Sequence, residues 1–200
     1  EKDPNSITSN FIRTILADTN GALWIGTDGG GLDKYDAEHQ RFQHFKHDKA
    51  NPASLSDDRI RIIYQDHQGT LWIGTEFNGL NRFDAKTEQF HSWQFDKNIS
   101  QSLSHNHVSS ILEDKNGTFW VGTNGGGLNI FDRKKEIFTH HKYTPDDPYS
   151  LNGNLVNTIY ESSSGILWMG MVNKGLNLID PKKQQIKHYY SVASQSGSLH

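Results

Sequence analysis

The chain has 200 residues, with 20 Lys and Arg against 23 Asp and Glu, a formal net charge of -3, and 34% apolar residues. No clustered excess of Lys and Arg is available for phosphates, which argues against a nucleic-acid partner. Apolar runs stop at four residues, as in Ala22-Leu23-Trp24-Ile25, far short of the ~20 that a membrane-spanning helix needs. The lack of Cys removes disulfides, thiolate catalysis and Cys-based zinc sites without choosing a compartment. No apolar h-region follows Glu1, so any signal peptide or anchor is expected outside these residues.

The sequence is periodic. Trp24, Trp72, Trp120 and Trp168 are spaced by 48 residues, and a frame moves with them. Gly21, Gly69, Gly117 and Gly165 precede each Trp by three. Gly31-Leu32, Gly79-Leu80, Gly127-Leu128 and Gly175-Leu176 follow, and then Asp36, Asp84, Asp132 and Asp180. Between copies, Ser54-Leu55 recurs as Ser102-Leu103, Ser150-Leu151 and Ser198-Leu199, with Ser6-Ile7 as its first instance.

In chain order, the third copy predicts a strand over residues 106–114, a tight turn at Lys115-Asn116-Gly117, and a second strand over 118–123 carrying Trp120. Asn124-Gly125-Gly126-Gly127 breaks it; 128–132 alternates apolar and polar residues as a half-buried strand; 137–143 forms a fourth strand after the turn at Arg133 to Glu136. Four short antiparallel strands per repeat define an all-β, β-propeller fold class, with blades of about 8–55, 56–103, 104–151 and 152–199. Four blades are few for closure. The segment therefore reads as part of a larger, seven-bladed array, with dimerisation or a compact four-bladed ring as alternatives.

The stretches Asp66-His-Gln-Gly-Thr-Leu-Trp-Ile-Gly-Thr75 with Asn78-Gly79-Leu80-Asn-Arg-Phe-Asp84, and Asp114-Lys-Asn-Gly-Thr-Phe-Trp-Val-Gly-Thr123 with Gly126-Gly127-Leu128-Asn-Ile-Phe-Asp132, resemble the two-component-regulator propeller repeat. The resemblance runs through all four copies, although Ser162 replaces the Asp and Met171 the Thr in the last. It implies a periplasmic or extracytoplasmic sensor region of a bacterial protein whose output is a histidine kinase or diguanylate cyclase. In gut bacteria several such proteins respond to oligosaccharides.

The repeated features have structural readings. The constant Trp positions suit packing between blades, and Asp18, Asp66 and Asp114 suit capping of turn N–H groups. One carboxylate per turn does not make a calcium loop, and the Gly-rich breaks lack the Lys-Ser/Thr of a phosphate loop. His44, His140 and His188 occupy equivalent places in different blades, too far apart to share a zinc ion. No metal, cofactor or catalytic residue is assigned.

Positions that vary while the frame stays fixed are the functional candidates, because blade packing does not dictate them. The loops after the second strands read Asp28-Gly29-Gly30, Glu76-Phe77-Asn78, Asn124-Gly125-Gly126 and Val172-Asn173-Lys174, and Phe77 stands out as a large apolar ring. The innermost strands begin with Phe11/Arg13, Arg59/Arg61, His107/Ser109 and Leu155/Asn157. Arg13, Arg59, Arg61 and His107, with Glu76, Lys174 and an apolar contact from Phe77 or Trp93, are expected to hold a polar or anionic small molecule or oligosaccharide. The bland alternative is that the arginines pair with nearby carboxylates or face water. Two functions follow: a non-catalytic sensing or interaction module, whose partners also include neighbouring blades or a second copy, or a propeller lyase or hydrolase using His107 and Glu76 as acid and base.

Overall fold

Each copy of the frame builds one sheet. A computed structural model describes residues 5–180 and 185–190. Its strands are β1 (Ile12–Ala17), β2 (Leu23–Thr27), β3 (Leu32–Asp36) and β4 (Arg41–Phe45), then β5 (Ile60–Gln65), β6 (Leu71–Thr75), β7 (Leu80–Asp84) and β8 (Gln89–Trp93). They continue as β9 (Val108–Glu113), β10 (Phe119–Thr123), β11 (Gly127–Asp132) and β12 (Ile137–His141), then β13 (Val156–Glu161), β14 (Leu167–Met171), β15 (Gly175–Asp180) and β16 (Gln185–Tyr189). Each set of four pairs in chain order as one antiparallel sheet, and there is no helix among the described residues. The strand expected over 106–114 begins two residues later. The Asn106 carbonyl instead accepts the Gly79 N–H, and its side chain accepts the Phe95 N–H, so it ties down a loop.

The turn between the first two strands of a sheet is held by its Asp. One oxygen of Asp114 accepts the N–H groups of Asn116 and Thr118, each at 2.9 Å. The other accepts the indole N–H of Trp120 at 2.9 Å. Asp18 and Asp66 do the same for Trp24 and Trp72. The expected turn cap is therefore also an indole clamp. In the last sheet Ser162 offers a single oxygen, which takes the Ile166 N–H.

The chain divides into two compact units, residues 5–96 with 106–108 and residues 97–105 with 109–190. In the first, the Trp-bearing face of the β1–β4 sheet meets the β5–β8 sheet through a core of Trp24, Phe45, Ile63, Leu71, Phe83 and Phe90, with Trp24 edge-on to Phe83 at 5.2 Å. In the second, Trp120, Leu128, Val156, Leu167, Met169 and Ile179 form the equivalent core. Every Trp also lies beside a ring from the last strand of its own sheet: Phe45, Trp93, His141 or Tyr189, at 5.7–6.3 Å.

The Ser-Leu segments at Leu55, Leu103 and Leu151 are straps, whereas Ser198-Leu199 lies outside the described residues. Leu55, Leu103 and Leu151 are fully buried, and the N–H groups of Ser56, Ser104 and Asn152 are accepted by the buried amides of Asn81, Asn129 and Asn177. Two of the outer-strand histidines serve the straps as well: His140 reaches the Ser102 carbonyl at 2.7 Å and His188 the Ser150 carbonyl at 2.8 Å.

One strand residue makes the second unit sensitive to acid. Burial, and then the charge of neighbouring His140, hold the His141 imidazole below its ordinary value of 6.5. The folded state thus resists a proton that the unfolded chain accepts. Its contribution is complete above that value and is lost as pH falls through it. Wild-type protein is expected to lose more thermal stability than His141→Phe between about pH 7.5 and about pH 5.5; parallel melting curves for the two proteins would contradict this.

Candidate functional site

The start of each innermost strand carries a built-in irregularity. Pairing of β1 with β2 steps from Ile12↔Thr27 to Thr14↔Gly26, and that of β5 with β6 from Ile60↔Thr75 to Ile62↔Gly74. Arg13 and Arg61 are the extra residues at these bulges, which re-aim side chains at strand ends. Each reaches the first residue of the following loop: Arg13 Nη2 lies 2.5 Å from Asp28 Oδ2, and Arg61 Nη1 lies 3.8 Å from Glu76 Oε2. Both arginines therefore pair with carboxylates. The same bulge in β13 presents Asn157.

Arg59 behaves differently. Its backbone carbonyl accepts the Glu76 N–H at 3.0 Å and its backbone bridges to Asp28, which links the loop after β2 to the loop after β6. Its guanidinium lies 5.2 Å over the Phe77 ring. Phe77 remains 52% exposed, on a loop that is well anchored. The Phe77 N–H is donated to Asp57 Oδ2 at 2.9 Å, the Asn78 amide to the Ser56 carbonyl at 2.9 Å, and the Asn78 N–H to Thr75 Oγ1 at 3.2 Å.

The structure thus gathers Arg13, Arg59, Arg61, Glu76 and Phe77 at one end of the first unit. His107, half-buried, immediately precedes β9. Trp93 is not brought to Phe77. It sits on outermost β8, about 14 Å from β5 at three strand spacings, with its ring against Trp72, His91 and the Arg82 guanidinium. Lys174 lies on the loop after β14 in the second unit, where its side chain is exposed and its carbonyl accepts the Asn152 amide. Glu76, the partner expected for His107 in acid–base chemistry, faces Arg61. Among the described residues no group of three or more His, Asp or Glu is placed to hold a metal ion.

Asp28 and Asp57 are the carboxylates of this site that the sequence reading does not select. Asp28 follows Arg13 by 15 residues, as Glu76 follows Arg61, a shared offset that pairs each arginine with its carboxylate. Buried Asp57 accepts both the Arg59 and the Phe77 N–H groups. Its place is taken by Ser9, His105 and Gly153 in the other copies, so no repeat pattern marks it.

A family model described as two component regulator propeller matches residues 6–29, 54–77, 102–125 and 150–173, once in each copy. The chain is built from two-component regulator propeller repeats. Its four sheets are β-propeller blades, as the resemblance implied. The extracellular domain of the hybrid two-component system BT3049 from B. thetaiotaomicron is similar, with a TM-score of 0.79 and 28% identity over 90% of this chain and 25% of that domain. The extracellular domain of BT4673 from the same organism gives a TM-score of 0.74 and 27% identity over 90% of this chain and 25% of that one. The chain thus spans about a quarter of the length of these domains. Virginiamycin B lyase from Staphylococcus aureus, at 14% identity and a TM-score of 0.67 over 94% of this chain and 58% of that one, shares the fold alone. No curated protein sequence matches the chain. No helix among the described residues is long and apolar enough to cross a membrane.

Proposed function

We propose that these blades form a non-catalytic sensing or interaction module of a bacterial signal-transduction sensor, placed outside the cytoplasm. The observation that carries the reading is the similarity, at 27–28% identity across 90% of the chain, to two extracellular domains of sensor systems. The working surface is the end of the first unit that displays Arg13, Arg59, Arg61, Glu76 and Phe77. A rigid scaffold with variable loops suits recognition of a small molecule or oligosaccharide, and the ligand acts by binding one arrangement of the sensor more tightly than another.

Neighbouring blades, or a second copy, are the other partners. On the outer face of the β1–β4 sheet Ile15 is 61% exposed, whereas its counterpart Ile63 in the next sheet is 4% exposed beneath the Trp24 face. An equivalent sheet laid on β1–β4 would bury it.

The test exchanges Glu76-Phe77-Asn78 for the Asn-Gly-Gly of the third copy in the intact gene. Ligand-dependent signalling output is expected to fall at least tenfold while the protein accumulates normally. An unchanged response would remove this end of the molecule from the sensing role.

A further inference from the structure

We propose that Arg59 and Phe77 together bind a ring-bearing carboxylate, the planar anion bonding to the guanidinium while the ring of the ligand stacks on the open part of Phe77. This rests on the reading of the loop end as the working surface and specifies its ligand chemistry.

The carboxylates around Arg59 are already committed. Asp28 is paired with Arg13, and Glu76 with Arg61. Asp57, adjacent to Asp58 and two residues from Arg59, gives one oxygen to the Arg59 N–H and the other to the Phe77 N–H. Asp58 accepts the His47 N–H at 2.7 Å. Of the three arginines at this end, Arg59 alone makes no ion pair among the described residues, and its guanidinium lies over the Phe77 ring. A guanidinium held over an aromatic face keeps outward N–H groups in a fork that matches a planar carboxylate.

Phe77 supplies the second half of the recognition. Gly29, Gly125 and Asn173 occupy its position in the other copies, so the ring serves no requirement of the repeat. It is held out of the core by hydrogen bonds on both sides, through Asp57 and through the mutual pair in which the Ser56 hydroxyl donates to the Asn78 carbonyl and the Asn78 amide to the Ser56 carbonyl. An exposed ring on a backbone fixed in this way loses little freedom when a flat ligand stacks on it. Neither group alone would be selective: the arginine would take any carboxylate and the ring any apolar face.

The experiment is an NMR titration of the chain with sodium glucuronate, glucose, benzoate and acetate, followed at the Phe77 ring protons. At least one ring carboxylate is expected to bind roughly tenfold or more tightly than both acetate and glucose, and Arg59→Gln and Phe77→Ala should each weaken that binding by about tenfold. Both side chains are exposed, so both variants should keep the wild-type melting temperature. Glucuronate binding without benzoate binding assigns the site to acidic sugars; benzoate without glucuronate assigns it to aromatic acids; both support the proposal. It is overturned if no ring carboxylate binds, if acetate binds as tightly, or if both variants bind like wild type. The loop exchange in the intact gene would still report on sensing, so the two readings can fail separately.

Discussion

Replacing Asp114 by Ala is expected to destabilise the second unit by about 3–5 kcal/mol. The carboxylate is 1% exposed and accepts three hydrogen bonds, from Asn116 N–H, Thr118 N–H and the indole of Trp120. Alanine leaves all three donors without their acceptor, and the indole is buried where water cannot replace it. Asp114→Asn should recover only part of the loss, because the amide oxygen can keep the turn while its NH2 group meets the indole donor. The converse change, Ser162→Asp, would supply the missing second oxygen beneath Trp168 and is expected to stabilise by about 1–2 kcal/mol. Urea unfolding of the three variants checks the order. Asp114→Ala unfolding at the wild-type midpoint would mean that the clamp carries no stability.

The same clamp explains why the fold was legible in the sequence and the site much less so. Gly and Trp recur every 48 residues in all four copies and the clamp Asp in three, because turn, clamp and inter-sheet packing must be satisfied separately in each copy, so one solution is written repeatedly into one chain. The second role of the Asp needed coordinates, because a six-residue separation does not say that a carboxylate lies under an indole. The site residues are where the copies differ, and there each position is a single example. Arg59, Arg61, Glu76 and Phe77 could be selected as departures from the frame, and the fold does bring them together. Trp93 reads as an apolar contact for a ligand, yet its counterparts Phe45, His141 and Tyr189 are all rings, which is the mark of the stack on the repeated Trp. Asp57 was invisible because its function is to hold two backbone N–H groups contributed from 2 and 20 residues away.

Gly79→Ala is expected to cost about 3–5 kcal/mol and to abolish the Phe77 surface with it. Two conditions meet there. The residue has φ of +79°, a region that an L side chain enters only at a cost of ~1–2 kcal/mol. A Cβ would also stand 2.1 Å from the Trp93 carbonyl oxygen, 3.1 Å from its carbon and 3.2 Å from Gln94 Cα, all backbone atoms that no rotamer change can move aside. Relief requires β7 and β8 to separate, which pulls the Trp93 ring off Trp72 and releases the Gly79 carbonyl that accepts both the Thr75 N–H and the Thr75 hydroxyl. Those bonds close the loop that presents Phe77. Gly69→Ala separates the two effects: its φ is nearly the same, +82°, but the nearest neighbour of a new Cβ is Gln65 Nε2 at 3.8 Å, the end of a flexible side chain. That variant should lose only ~1 kcal/mol and keep any binding at Phe77. If the two alanines cost the same, the close approach of β8 to the loop would not be what makes glycine obligatory at Gly79, and the link from strand packing to the recognition loop would break at that residue.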